Sequence, residues 1–303
     1  MSEESVPLRF PLLRLPYLCI EAVILNSEVC DLINFSYISK RTNRLVKSFK
    51  SPVSHIVIRL DQDKSIILKP MQFVLELKST DKLKNLIELF KCSVDYLNID
   101  GDHLTDPINF DFNFKKINKL FVGGKKEIEN HKLKHLMEQF EVSDGFILAC
   151  PISKDFHCDP KLFEAKFLVL AEKKSAGWVT GDYLSQLGNI HRFDIDYPQF
   201  GIKDVVEFIT RWFNSIENTT LKAFTVVFEN PFSPEDLVLD HLQPMRWDPE
   251  RRPATMINPW ITDLSNGLDI LRSDGQLATI LADDDYVIFH VWLEREMRGL
   301  PYR

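Results

Sequence analysis

The spacing of apolar positions changes along this chain and predicts helices first and strands later. From Phe10 to Phe49, Ile20, Val23 and Ile24 share one helical face. After Asn26-Ser27, which can end one helix and cap the next, Val29, Leu32, Ile33 and Ser36 recur at intervals of three and four. A third segment turns Ile38, Leu45, Val46 and Phe49 inward and leaves Lys40, Arg41, Arg44, Lys47 and Lys50 to water. Leu15-Pro16 opens the first helix, because proline fixes φ and lacks an N–H that the first helical position leaves unpaired anyway. Three short helices in about 40 residues carry more leucine and isoleucine than they can bury by themselves. Either another protein covers the surplus or it forms one end of the main core, since amphipathic helices most often face their own domain.

Beyond Ser51-Pro52 the period becomes that of strands. His55 to Leu60 and Ser65 to Leu68 flank a polar turn, Gln72 to Leu77 adds a third strand, and Thr80 offers a cap for a helix marked by Leu83, Leu86, Ile87 and Phe90. Apolar pairs spaced by two then recur: Leu97/Ile99, Leu120/Val122, Phe146/Leu148, Leu168/Leu170, Phe193/Ile195 and Phe224/Val226. Their first members stand 23, 26, 22, 25 and 31 residues apart, mostly within the window for leucine-rich repeats, although the asparagine ladder is absent. The returns carry helical stripes, Leu133/Leu136/Met137/Phe140 and Val205/Ile209/Trp212/Phe213/Ile216. Strand alternating with helix favours parallel strands with right-handed crossovers. Phe121, Ile147 and Val169, between the paired positions, point to strands buried on both faces. Gln243 to Pro259, with four prolines, is expected to be extended and irregular. Leu268 to Arg272 and Leu277 to Leu281 read as a hairpin about an Asp-Gly turn, and Val287 to Trp292 as a further strand.

Leu8 to roughly Lys50 resembles the F-box, the helical motif that docks on the Skp1 adaptor of cullin-based ubiquitin ligases. The resemblance rests on Leu15-Pro16, the Ile20/Val23/Ile24 face, Asp31-Leu32-Ile33 and Ile38-Ser39-Lys40-Arg41. It implies adaptor contacts at Leu15, Pro16, Ile20, Val23, Ile24, Leu32, Ile33 and Ile38. One departure is Thr42, where the family often has tryptophan or another large residue. Trp178-Val179-Thr180-Gly181-Asp182, Leu184, Leu187, the strand at Ile190 to Ile195, DVVEFITRWFNS and LKAFTVVF resemble, in that order, the F-box-associated domain of the second type. Together they imply a substrate receptor of a ubiquitin ligase that does no catalysis itself.

The fold expected is α/β: a three-helix F-box (8–50) after a tail (1–7), a β-hairpin connector (51–80), and an irregular leucine-rich-repeat-like α/β solenoid (81–242, its F-box-associated region about 178–242). A proline-rich segment and a C-terminal antiparallel β meander (243–303) cap it. Partners expected are a Skp1-like adaptor, through it a cullin, and an unidentified target. The alternative is a repeat-type interaction scaffold that enters no ligase.

Composition narrows this modestly. The chain is 45% hydrophobic and 27% charged, with no apolar run long enough to cross a bilayer. A net charge of −7 argues against nucleic acid. An acidic start without an apolar signal core, and five cysteines without CxxC spacing, suit reduced thiols in the cytoplasm or nucleus. No cofactor is implied. His131/His135 lack further metal ligands, Gly123-Gly124-Lys125 lacks the full phosphate-loop spacing, and Asp283-Asp284-Asp285 lacks an EF-hand pattern. These read as a solvated pair, a tight turn and a loop tip. His157-Cys158-Asp159 are neighbours in sequence, whereas triads are made by geometry. Trp247 and Trp260, in the proline-rich segment, are the surface tryptophans singled out for target binding.

Overall fold

The computed structural model describes residues 12–60, 64–70, 73–76, 80–103, 114–163, 167–187, 190–215, 220–258 and 260–297. It gives their side chains except at 73, 80–82, 234, 257, 258, 260, 261 and 295. The chain forms two compact units, the first made chiefly of residues through Asp95 and the second chiefly of residues from Tyr96 on.

In the first unit, α1 (Tyr17–Leu25), α2 (Val29–Ile38) and α3 (Lys40–Ser48) follow the helical periodicity. Pro16 stands one position before the first helical residue, and its carbonyl accepts the N–H groups of Cys19 and Ile20. Ser39, with extended backbone, ends α2 and caps α3: its hydroxyl accepts the Thr42 N–H at 3.2 Å while Thr42 Oγ1 accepts the Ser39 N–H at 3.0 Å. Thr42 is therefore buried as part of a capping box, which accounts for a small hydroxylated residue there. β1 (His55–Leu60), β2 (Ser65–Lys69) and β3 (Phe73–Glu76) form an antiparallel meander in which Ile56 faces Leu68 and Ile58 faces Ile66, all buried. α4 (Thr80–Phe90) buries Leu83, Leu86, Leu89 and Phe90, and its Glu88 meets Lys47 of α3 at 3.5 Å.

The second unit is built on the paired apolar positions. β4 (Ser93–Asp100), β5 (Lys116–Gly123), β6 (Glu141–Ala149), β7 (Phe167–Leu170), β8 (Arg192–Asp196) and β9 (Ala223–Val227) are parallel neighbours in chain order. α5 (Asn130–Gln139), α6 (Gly181–Leu184) and α7 (Ile202–Asn214) lie in the connections. The first members of all six pairs stand opposite one another, Leu97–Leu120–Phe146–Leu168–Phe193–Phe224, each at most 1% exposed. The Phe193 and Phe224 rings stack at 4.9 Å, and α7 lays Phe208 edge-on against both. This face is dry and covered. The intervening residues differ from expectation: Phe121, Ile147 and Val169 are only half-buried, on the face away from the one where α7 packs over Phe193 and Phe224.

The remaining elements are β10 (Met245–Arg246), β11 (Thr255–Asn258), β12 (Trp260–Asp263), β13 (Leu268–Leu271), β14 (Leu277–Ala282), β15 (Tyr286–Val291) and α8 (Glu294–Met297). β15 pairs antiparallel with β9, and β14, β13 and β10 follow outward. The Asp274-Gly275 turn joins β13 to β14 with Gly275 at φ 89°, the left-handed region that glycine adopts without a Cβ penalty. The proline-rich stretch is more ordered than its sequence suggests: β10 joins the sheet, and β11 pairs with β12 as a separate hairpin. Pro249 and Pro253 fall outside those strands, where no ladder N–H is required.

One buried polar network ties this stretch to the sheet. Arg252, 2% exposed, donates from Nε to Asp269 Oδ1 at 2.8 Å and from Nη2 to the Leu264 carbonyl at 2.8 Å. Asp269 Oδ1 also accepts the Thr279 hydroxyl at 2.7 Å, and Thr279 Oγ1 accepts the Trp292 indole N–H at 2.7 Å. The Arg252 guanidinium lies 5.1 Å from the centre of the Trp292 ring.

Candidate functional site

α1 is apolar nearly all round, the composition of a helix that is covered on every side. Its own unit covers one side. Ile20 and Ile24 are buried, while Tyr17 (56% exposed), Leu18 (74%), Val23 and Leu25 stand in solvent. α2 repeats this division: Val29, Leu32, Ile33 and Ser36 are buried, and Tyr37 and Ile38 (73% exposed) are open. Between the two helices lies a groove of about 410 Å³ walled by Leu12, Val23, Ile24, Leu32, Phe35 and Ile38, with Ser27, Asp31 and Asn34 as its polar lining. α3 contributes Lys40, Arg41 and Arg44 as exposed cations.

The residues expected at an adaptor interface therefore divide. Val23, Ile24, Leu32 and Ile38 come together on the groove. Leu15 is half-buried and Pro16 exposed at the start of α1, and Ile20 and Ile33 are buried without lining the groove. Sequence reasoning passed over Tyr17, Leu18, Leu25 and Tyr37. The available signal was that YLCIEAVIL has only one charged position in nine, so no polar face exists to meet water.

Residues 12–54 match the family model described as F-box domain, which supports an F-box protein. Over 130 residues the chain is 30% identical to an uncharacterized protein of Caenorhabditis elegans, covering 40% of this chain and 29% of that one. A second uncharacterized protein of that organism is 30% identical over 143 residues, covering 42% of this chain and 32% of its own length. The chain thus spans less than a third of the length of the curated relatives it matches. No solved structure matches it.

The other candidates resolve into structural roles. The backbone N–H groups of Lys125 and Lys126, after Gly123-Gly124, point at the Asp102 carboxylate at 2.8 and 2.7 Å, which also holds that carboxyl below its ordinary pKa. An anion of the chain already fills the cradle. In the His157-Cys158-Asp159 run, His157 and Asp159 are exposed while Cys158 is buried, sharing a 3.2 Å hydrogen bond with the Tyr183 hydroxyl. Burial pushes the Cys158 thiol up to about 11, far from nucleophilic range. Cys92 and Cys150 are likewise pushed up by burial, to about 11 and about 12. His131, in the first turn of α5, is exposed and its Nδ1 stands 3.6 Å from the carboxylate of Glu129 just before the helix, and His135 is exposed on the same helix. At the Asp283-Asp284-Asp285 tip, the backbone carbonyls of Asp284 and Asp285 accept the N–H groups of Phe232 and Phe228. Trp247 is half-buried with its indole N–H on the Arg252 carbonyl at 3.3 Å, and the Trp260 side chain lies outside the described residues.

Proposed function

We propose that this chain is the substrate-recognition subunit of a Skp1-cullin-F-box type ubiquitin ligase. The apolar groove and the exposed Tyr17, Leu18, Tyr37 and Ile38 around it receive the Skp1-like adaptor, which brings the cullin. Covering a fully exposed leucine or isoleucine contributes about 1.5–3 kcal/mol, and the surplus over the cost of association sets the affinity. The second unit holds a target protein, and we read its strand-and-return pattern as leucine-rich-repeat-like, with an F-box-associated region of the second type near 178–242. No chemistry is asked of the chain: holding a target lysine beside the activated ubiquitin carrier raises its effective concentration. The site of action is cytoplasmic or nuclear.

The observation that carries this reading is the exposed apolar rim of α1 and α2 within the segment that matches the F-box domain. Because Leu18 and Ile38 have little packing to lose, Leu18→Asp and Ile38→Asp are expected to leave circular dichroism unchanged. Each should weaken capture of a recombinant Skp1-like adaptor roughly tenfold or more. Unchanged capture by both variants overturns the reading.

A further inference from the structure

The groove between α1 and α2 carries opposite charges at its two ends. Asp31, in the first turn of α2, stands on the lining, and a carboxylate oxygen of Glu28 lies within 4.8 Å of one of Asp31. Both residues are exposed, and among the described residues neither is paired with a cation. Two turns further along α2, about 10 Å away, Ile38 marks the other end, and α3 opens just beyond it with Lys40 and Arg41. Arg41 Nη2 donates to the Leu13 carbonyl at 3.4 Å, which sets the guanidinium beside Leu12 of the groove wall. Lys40, Arg41 and Arg44 are exposed, and among the described residues no carboxylate meets them. The basic end is more than one side chain: between Asp31 and Asp61 the sequence holds six lysines and arginines and no acid.

The walls decide what form an occupant takes. Helices bond their backbone groups within themselves, and the one hydroxyl on the lining, that of Ser27, already donates to the Val23 carbonyl at 2.7 Å. An extended segment laid here leaves its own N–H and C=O groups facing Val23, Phe35 and Ile38 without partners. A helix brings its backbone bonds with it and offers only side chains.

We propose that the groove takes an amphipathic helix of the Skp1-like adaptor in one orientation, with a lysine or arginine of that helix over Glu28 and Asp31 and an aspartate or glutamate at Arg41. On the occupant the two charges stand about seven to ten positions apart, two to three turns. The apolar walls give contact without direction, whereas a helix laid the other way brings like charges together at both ends. This rests on the reading of the groove as the adaptor's seat and adds the residues that set the fit, Asp31 and Arg41.

The test measures capture of a recombinant Skp1-like adaptor by the full chain and by Asp31→Lys, Arg41→Glu and the two together. Each single reversal should weaken capture about fivefold. The double exchange leaves the net charge unchanged and inverts both ends, so it should capture no better than either single variant. Arg41→Glu puts an acid into the first turn of α3, where the helix dipole favours it, so thermal unfolding should hold or rise while capture falls; a purely structural role moves both downward. Asp31→Asn keeps the size of the side chain, guards against fraying of α2, and should lose part of the same capture with a weaker dependence on salt. Capture that is lost in Leu18→Asp and Ile38→Asp yet indifferent to Asp31→Lys and Arg41→Glu overturns the polarity and leaves the receptor reading standing. Capture restored by the double exchange means that net charge alone acts, and overturns it too. No capture by the wild type overturns both readings. A dimer of the free chain in light scattering, dissolved by Ile38→Asp, puts a second copy in the groove and overturns the helix assignment.

Discussion

Arg252 and Asp269 are the residues on which the C-terminal stretch turns, because both are buried and Asp269 is the carboxylate that Arg252 meets, while Arg251 reaches the other oxygen of Asp269 at 3.1 Å. Removing Asp269 strands the buried Arg252 cation, so Asp269→Asn is expected to cost about 3–5 kcal/mol in urea unfolding, and Arg252→Met with Asp269→Leu to recover part of that loss. A milder pair sets an acid limb. Arg272 donates to Asp274, whose carboxyl is held down to about 2. That value is below the unfolded one of about 4, so the stability it contributes is complete above that pH and lost as pH falls toward 2. Asp274 is half-exposed, so solvent weakens the effect. Urea midpoints measured across this interval should fall less steeply for Asp274→Asn than for the wild type. Neither pair was legible in the sequence: Arg251-Arg252 reads as two solvated cations until Asp269 is seen bonded to both.

At the scale of elements, the capping box at the α2–α3 junction makes a definite claim about Thr42. Thr42→Val keeps the shape and removes the hydroxyl that accepts from Ser39, with an expected loss of about 1 kcal/mol in thermal or urea unfolding and no change in adaptor capture. The helices and most strands could be read directly, since periods of 3.6 and 2 are local properties. β1 was placed at its observed bounds, and the Asp274-Gly275 hairpin within a residue or two. The β11–β12 hairpin could not be read, because four-residue strands among prolines carry too little alternation. The groove was half legible. Val23, Ile24, Leu32 and Ile38 follow from helical spacing, but Tyr17, Leu18 and Tyr37 lie on sides that a single-face reading assigns to water.

For the second unit as a whole, one aligned row of buried side chains joins the parallel strands to the antiparallel ones through Phe224 and Phe289, whose rings stack at 5.1 Å. A defect at its middle should be felt throughout. Leu168→Ala is expected to cost about 2–5 kcal/mol, and tryptophan fluorescence, from Trp178, Trp212 and Trp292 among others, should lose its native signal together with far-ultraviolet circular dichroism. Separate midpoints would mean that the parallel and antiparallel parts melt independently. On the sheet face away from that row, a Cβ on Gly123 would stand 2.7 Å from the Phe121 ring and one on Gly145 2.5 Å from the Phe167 ring, which carries a different implication. Strand register is fixed from the buried side, whereas Phe121 with Gly123 and Phe167 with Gly145 can change only as pairs. Such a sheet lets one face drift by paired exchanges while the packed row behind it stays as it is.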